Sequence, residues 1–204
     1  MANHTELLDS LRIFHGSVST TEAIVYVESS NRDIVIDGQV HGPFSKRADT
    51  LTATSVFQDC GDGPTRLVAA RIVDPCAWTP SLPAHYELTL ELHSRSGSEI
   101  PSQRVTTKIG LRSLGPRGRD LFWDSRRFVL RAIEPDGLTA WGPSDWDGLR
   151  QTATCLILPT HAADAFDRAS EAGVPVVVDT RVAKEHDIRA LQRLHPVSYT
   201  HLTL

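Results

Sequence analysis

The sequence predicts a multidomain protein: an antiparallel β-sandwich followed by a segment of parallel α/β structure. Three observations point there. Apolar residues recur with period two through the first 112 residues, and turn-forming clusters separate those runs. After residue 120 the period changes, and uninterrupted apolar strands alternate with amphipathic helices.

Residues 1–20 are expected to be an N-terminal lead-in. The opening "MANHTELLDSLRIF" has neither the basic n-region nor the apolar h-region of a signal peptide. The sandwich is expected over 21–112. Its runs are "EAIVYVES" (22–29), "DIVIDG" (33–38), "TLTATSVF" (50–57), "RLVAARIV" (66–73), "YELTLELH" (86–93) and "RVTTKIGLR" (104–112). In the fifth run Tyr86, Leu88, Leu90 and Leu92 share one face, and Glu87, Thr89 and Glu91 share the other. That is the pattern of an antiparallel strand with one wet side. "SSNRD", "DCGDGP" and "SRSGS" supply the turns.

The Gly/Arg-rich stretch "SLGPRGRD" (113–120) is expected as a linker to a second domain over 121–196. There "FVLRAI" (128–133) reads as a strand. "GPSDWDGLRQ" reads as a short helix, with Ser144 as N-cap and Asp147 at capping-box spacing. "ATCLILP" (153–159) has the unbroken apolar character of a strand buried on both faces. "THAADAFDRASEAG" (160–173) reads as a helix with Ala162, Ala165, Phe166, Ala169 and Ala172 as its apolar stripe. Asp164 suits its first turn, and Gly173 its C-terminal stop. "VPVVVDT" (174–180) is the next buried strand and "KEHDIRALQRL" (184–194) the next helix.

Composition narrows the function classes. Net charge is −4, without the basic face that nucleic-acid binding needs. The arginines from Arg112 to Arg127 are interleaved with Asp120 and Asp124, as in a solvated loop. No run approaches the roughly 18 apolar residues of a membrane span, so no membrane partner is expected. The three cysteines, Cys60, Cys76 and Cys155, give neither a disulfide framework nor a zinc pattern. Free thiols are expected, with a Cys60–Cys76 bridge left open. The nine histidines lack ligand spacing, and His186 reads as solvated. No metal and no cofactor are expected. No Gly-rich turn follows a buried strand, which argues against a flavodoxin-like phosphate-binding domain.

"DPCAWTPSLPAHYELTLEL" (74–92) resembles the motif leading the last strands of the immunoglobulin-like domain in family-2 glycoside hydrolases, the β-galactosidase, β-glucuronidase and β-mannosidase family. Trp78, Pro80, Pro83, Tyr86 and Leu88 match its pattern Trp-x-Pro-x-x-Pro-x-Leu-Tyr-x-Leu, and His85 replaces a Leu. The prolines by themselves fix an extended segment that donates no hydrogen bond at those positions. "KIGLR" (108–112) resembles the family's exit strand. "LFWDSRRFVLRAI" (121–133) resembles the hairpin that opens its barrel, with Asp124-Ser125-Arg126 in the turn, Arg131 matching, and Ala132 replacing Gly. "AADAFDRASEAGVPVVVD" (162–179) and "IRALQRLHP" (188–196) resemble later helix and strand motifs in the same order.

The resemblance covers roughly residues 20–196. It implies an all-β immunoglobulin-like sandwich followed by an incomplete (β/α)8 barrel segment. It also implies retaining hydrolysis of O-glycosyl bonds by two carboxylates about 5–5.5 Å apart, with a carbohydrate substrate for the full-length protein. The family's acid/base Glu lies in an Asn-Glu pair ending barrel strand four, and its nucleophile ends strand seven. This sequence has no Asn-Glu pair. On this alignment it reaches only the start of strand four. The chain is therefore expected to be a fragment that lacks both catalytic residues and is inactive. The alternative is a non-catalytic carbohydrate-binding or adhesion protein of the same architecture.

Arg131, Asp179 and Trp141 are the candidate substrate-binding residues. Arg131 and Asp179 fall at strand ends facing the active side of a barrel, as do Glu134 and Asp136. Asp179 at such a position more often caps the following segment or pairs with a neighbour, and Arg131 more often forms a structural ion pair in the barrel mouth. Trp141, with Trp123 and Trp146, is suited to stacking on sugar or to packing. Where the family usually carries an Arg and a His after strand two, "TCLILPTH" offers Cys155, Leu158 and only His161. Residues 197–204, "VSYTHLTL", match the translation of a sequencing adapter and are expected to be read-through. With "CLIL" and "VPVVV" uncovered in an open sheet, residues 121–196 alone are expected to be molten, while the sandwich folds.

Overall fold

The structure, a computed structural model, describes residues 11–61, 63–95, 102–136, 141–160 and 162–181. They form two compact units. Unit 1 comprises the described parts of 1–44, 50–76 and 86–109. Unit 2 comprises 45–49, 77–85 and the described parts of 110–204. The expected helix 184–194 and the stretch 197–204 lie outside the described residues.

Unit 1 is a β-sandwich. Its strands are β1 (Leu11–Val18), β2 (Glu22–Ser29), β3 (Ile34–Phe44), β4 (Ala53–Val56), β5 (Gln58–Asp59), β6 (Arg66–Val73), β7 (His85–Ser94) and β8 (Gln103–Ile109). One sheet runs β1-β2-β6-β5, the other β4-β3-β7-β8. Alternation decides which side chains go inside. Val25 and Val27 of β2, Val68 and Ala70 of β6, Ile34 and Ile36 of β3, and Leu88, Leu90 and Leu92 of β7 are all buried. The intervening Glu87, Thr89 and Glu91 are not. Gly38 has φ +151°, and a Cβ there would collide with the Thr89 carbonyl, so only glycine lets β3 approach β7 this closely. The Tyr86 hydroxyl, at the start of β7, accepts the Cys76 N–H at 2.8 Å.

One sequence expectation changes here, and the expectation of free thiols holds. Residues 11–18, expected within the lead-in, are strand β1, paired antiparallel with β2. Cys60 and Cys76 are free thiols, and Cys155 is free and buried.

The described residues of unit 2 form two sheets. The first is an antiparallel meander in the order β11-β10-β9, from β9 (Leu114–Arg117), β10 (Asp120–Trp123) and β11 (Arg126–Phe128). The stretch 113–120, expected as a linker, thus contains a strand. Asp124 and Ser125 make the two-residue β10–β11 turn, with φ of 48° and 62°. Both central residues at positive φ define a type I′ hairpin, whose twist matches the flanking strands.

The second sheet is parallel and runs in chain order: β12 (Ala132–Ile133), β13 (Cys155–Pro159), β14 (Val176–Asp179). Helix α1 (Pro143–Gln151) links the first pair and α2 (Ala163–Ala172) the second. Trp146, Leu156, Leu158, Phe166, Ala169, Val174 and Val176 form their shared core. The single strand expected over 128–133 is divided. Phe128 ends a strand paired antiparallel with β10, whereas Ala132 begins one paired parallel with β13, so the chain changes partner between them.

The start of α1 also differs from expectation. Gly142, not Ser144, is the N-cap, with Pro143 in the first turn. Proline is favoured there because its missing N–H would have no partner inside the helix. The Asp145 carboxylate accepts the Gly142 N–H at 2.8 Å. Asp147 instead pairs with Arg150 and Arg47. Gly173 ends α2 in the left-handed conformation, φ 79°, as expected of a helix-stopping glycine.

Candidate functional site

Parallel β/α structure concentrates chemistry at the C-terminal ends of its strands, because the loops that follow them are free to vary. In unit 2 that edge carries Asp179, the last residue of β14 and level with Pro159 of β13. It also carries Glu134, which directly follows β12. Arg181 connects them. Its Nε and Nη2 donate to the two Asp179 carboxylate oxygens at 2.9 and 2.8 Å, and its backbone N–H donates to Asp179 Oδ1 at 3.0 Å. The same Nη2 lies 3.7 Å from Glu134 Oε1.

This geometry fixes protonation. Hydrogen bonds from the Arg181 side chain and backbone hold the Asp179 carboxyl down to about 2. Asp179 raises the Arg181 pKa in return. A carboxyl ionised so strongly does not serve as a general acid near neutrality. It accepts hydrogen bonds and fixes a guanidinium. The Asp-x-Arg spacing of "DTR" is the sequence signal for this local pair. Arg181 is not among the residues that the sequence reading singles out.

Arg131 lies at the other end of the strands. It immediately precedes β12, its side chain is exposed, and its carbonyl accepts the Cys155 N–H at 2.7 Å. Cys155 begins β13, whereas Asp179 is level with its end. At 3.3 Å per residue, Arg131 and Asp179 are thus separated by roughly 16 Å along the strand direction. Trp141 is half-buried against the unit 2 core. It meets Trp146 edge-to-face at 5.3 Å, and its carbonyl accepts from Arg168 at 3.2 Å. Trp123 stacks on Trp78 at 5.6 Å. The three candidates therefore occupy different settings: strand start, strand end and core margin.

Burial pushes the Cys155 thiol up to about 11. This is the setting of an apolar packing group, not a nucleophile or metal ligand. Among the described residues no group of three His, Cys, Asp or Glu side chains is gathered to hold a metal ion. No described helix is long and apolar enough to cross a membrane. His161 lies outside the described residues.

No protein family matches the sequence, and neither does any curated protein. Solved structures do match. A β-glucuronidase from glycoside hydrolase family 2 aligns with a TM-score of 0.57 at 13% identity, over 93% of this chain and 23% of that one. The Bacteroides uniformis β-glucuronidase aligns with a TM-score of 0.55 at 14% identity, over 93% of this chain and 27% of that one. The Bifidobacterium dentium β-glucuronidase, solved with coumarin-3-O-glucuronide, gives a TM-score of 0.57 at 12% identity, over 83% and 30%. At such identity the likeness is one of fold. The chain spans about a quarter to a third of the length of these glycoside hydrolases.

Proposed function

We propose that this chain is part of a retaining glycoside hydrolase related to family 2, comprising an immunoglobulin-like sandwich and the first βα units of a (β/α)8 barrel. The order of architectures carries the proposal: sandwich, antiparallel meander, then parallel strands. That order accompanies the fold likeness to β-glucuronidases over 93% of the chain.

Two details support the sandwich assignment. The sheets β1-β2-β6-β5 and β4-β3-β7-β8 follow immunoglobulin strand order, with one strand added beside the third. Tyr86, near the start of the strand equivalent to F, ties back to the Cys76 backbone in the manner of a tyrosine corner. For the second half, parallel strands in unreversed chain order favour a barrel segment over a doubly wound sheet, whose order reverses at its binding crevice.

Within this reading Asp179, Arg181 and Glu134 belong to the sugar-facing rim. Ionised Asp179 accepts from sugar hydroxyls, and Arg181 orients it. Trp141 supports the rim from the core margin, and Arg131 has a structural role at the opposite end of the strands. The two catalytic carboxylates come from later barrel strands, and the mechanism needs no cofactor. The purified 204-residue chain is expected not to hydrolyse nitrophenyl β-glucuronides or β-galactosides, whereas a product of the same gene extended through barrel strand seven hydrolyses one of them. Turnover by the 204-residue chain would overturn the assignment of the catalysts. An extension with apolar residues at both catalytic positions would instead favour the carbohydrate-binding or adhesion reading.

A further inference from the structure

All four tryptophans lie in unit 2, at positions 78, 123, 141 and 146. The one most distant in sequence, Trp78, is only 1% exposed. Several groups hold it. The Arg112 guanidinium sits 4.3 Å from its ring centroid, and the Trp123 ring stacks on it at 5.6 Å. Its backbone N–H donates to Leu111 O at 2.7 Å, and its indole N–H donates to Ser170 O at 3.1 Å.

Ser170 is in the last turn of α2, where its carbonyl accepts the capping Gly173 N–H at 3.3 Å and keeps a second lone pair for the indole. The same turn is engaged at other points. Lys46 Nζ meets the Glu171 carboxylate at 2.7 Å, and Arg47 Nη2 donates to Ala172 O at 3.4 Å. Cations and donors suit this end of a helix dipole. Pro80 adds a steric condition: its carbonyl lies so near Gly173 that a Cβ there would collide with it.

The geometry points to an intramolecular clasp. The last turn of α2 is a docking site for residues 77–85, with 45–49 as an auxiliary strap, and unit 2 reaches its native packing only with 77–85 seated. This does not depend on the glycosidase reading. It gives the Trp-x-Pro motif a physical role, in which the indole caps a helix end and the segment's proline carbonyl fits against a glycine.

A matched pair of glycines tests this in the full chain. Gly118 and Gly173 both have left-handed φ, 64° and 79°, but a Cβ on Gly118 meets nothing within 4 Å. Gly118→Ala and Gly173→Ala therefore share the backbone strain, and only the second pushes Pro80 away. By hydrogen exchange with mass spectrometry, peptides over 155–177 should exchange at least tenfold faster in Gly173→Ala than in Gly118→Ala. Peptides over 22–29 and 66–73 should exchange as in the wild type. Trp78→Phe, which keeps a ring but removes the indole N–H, should raise exchange at 164–172 several-fold, and it serves if Gly173→Ala aggregates. Equal exchange in the two glycine variants, an unchanged Trp78→Phe, or equal loss of protection in both units would each overturn the clasp.

Discussion

The sandwich and the βα unit bury their strands by opposite rules. In unit 1 the longer strands carry one dry and one wetter face, and β2 alternates strictly between buried and half-buried residues. In unit 2, β13 opens with Cys155 and Leu156 both buried. One of its faces carries α2, and strand order, not alternation, organises the sheet. A sandwich strand thus states its own orientation in eight residues. A parallel strand announces itself by its apolar run, but which layer each side chain meets is set by the helices around it. The units also differ in where their cohesion comes from. Unit 1 is held by pairing between neighbouring strands, whereas unit 2 depends on contacts as distant in sequence as Trp78 and Ser170.

The strongest attempt to break this contrast is a core truncation in each half. Leu90→Ala and Leu158→Ala remove fully buried side chains from the two cores, and each should cost roughly 2–5 kcal/mol. In urea, Leu158→Ala should lower the midpoint followed by tryptophan fluorescence, which reports unit 2 alone. Leu90→Ala should lower the midpoint followed by the far-UV strand signal. Coincident shifts of both probes in both variants would mean that the two halves unfold as one.

A smaller effect, of opposite sign, is expected at the type I′ turn. Ser125 holds φ 62° without being glycine, and the left-handed region costs a non-glycine residue about 1–2 kcal/mol. Ser125→Gly should therefore raise the unit 2 midpoint. A lower midpoint would mean that the serine side chain stabilises the turn more than its backbone strains it. At the start of α1, Asp145→Ala removes the acceptor for the Gly142 N–H and should cost about 0.5–1 kcal/mol. Ser144→Ala, at the cap position expected from the sequence, should be close to neutral. A reversed ranking by thermal denaturation would restore Ser144 as the cap.

The smallest effect is electrostatic. Asp179 is depressed to about 2 by Arg181, below the ordinary value near 3.9. A depressed carboxyl contributes stability that is present above its unfolded pKa and is lost as pH falls through the folded one. Here that window runs from about pH 4 down to about 2. Carboxyl-carbon NMR should give Asp179 a midpoint near 2, and Arg181→Ala should bring it back toward the ordinary value. An unmoved midpoint would show that another group depresses it.

What the sequence discloses follows the same division. β2, β6 and β7 are legible because their wet faces are polar enough to expose the alternation. β1 is not, because its outward Phe14 is apolar. That ring stacks on Tyr26 at 5.2 Å, a cross-strand contact invisible along the chain. β9 is hidden by Gly115 and Pro116, which read as linker, although an edge strand tolerates proline. The parallel strands and α2 are legible from apolar runs and from Gly173. The helix cap is misplaced because Ser144 outweighs Pro143, although proline in the first turn is the better signal. At the candidate site, Asp179 and Glu134 can be placed from strand ends. The position of Arg131 cannot, because it depends on where one strand gives way to the next. Arg181 is detectable from its two-residue spacing to Asp179. The contact between Trp78 and Ser170 spans 92 positions, and no local pattern encodes it.

The three thiols form a graded clock. Cys60 is exposed, Cys76 is partly covered, and Cys155 is sealed inside the parallel sheet with its ionisation pushed up to about 11. Since only the thiolate reacts, a pulse of alkylating reagent at mild alkaline pH should mark Cys60 at once, Cys76 later, and Cys155 only when β13 opens. The order in which the labels arrive would time the opening of each region in the unmodified sequence.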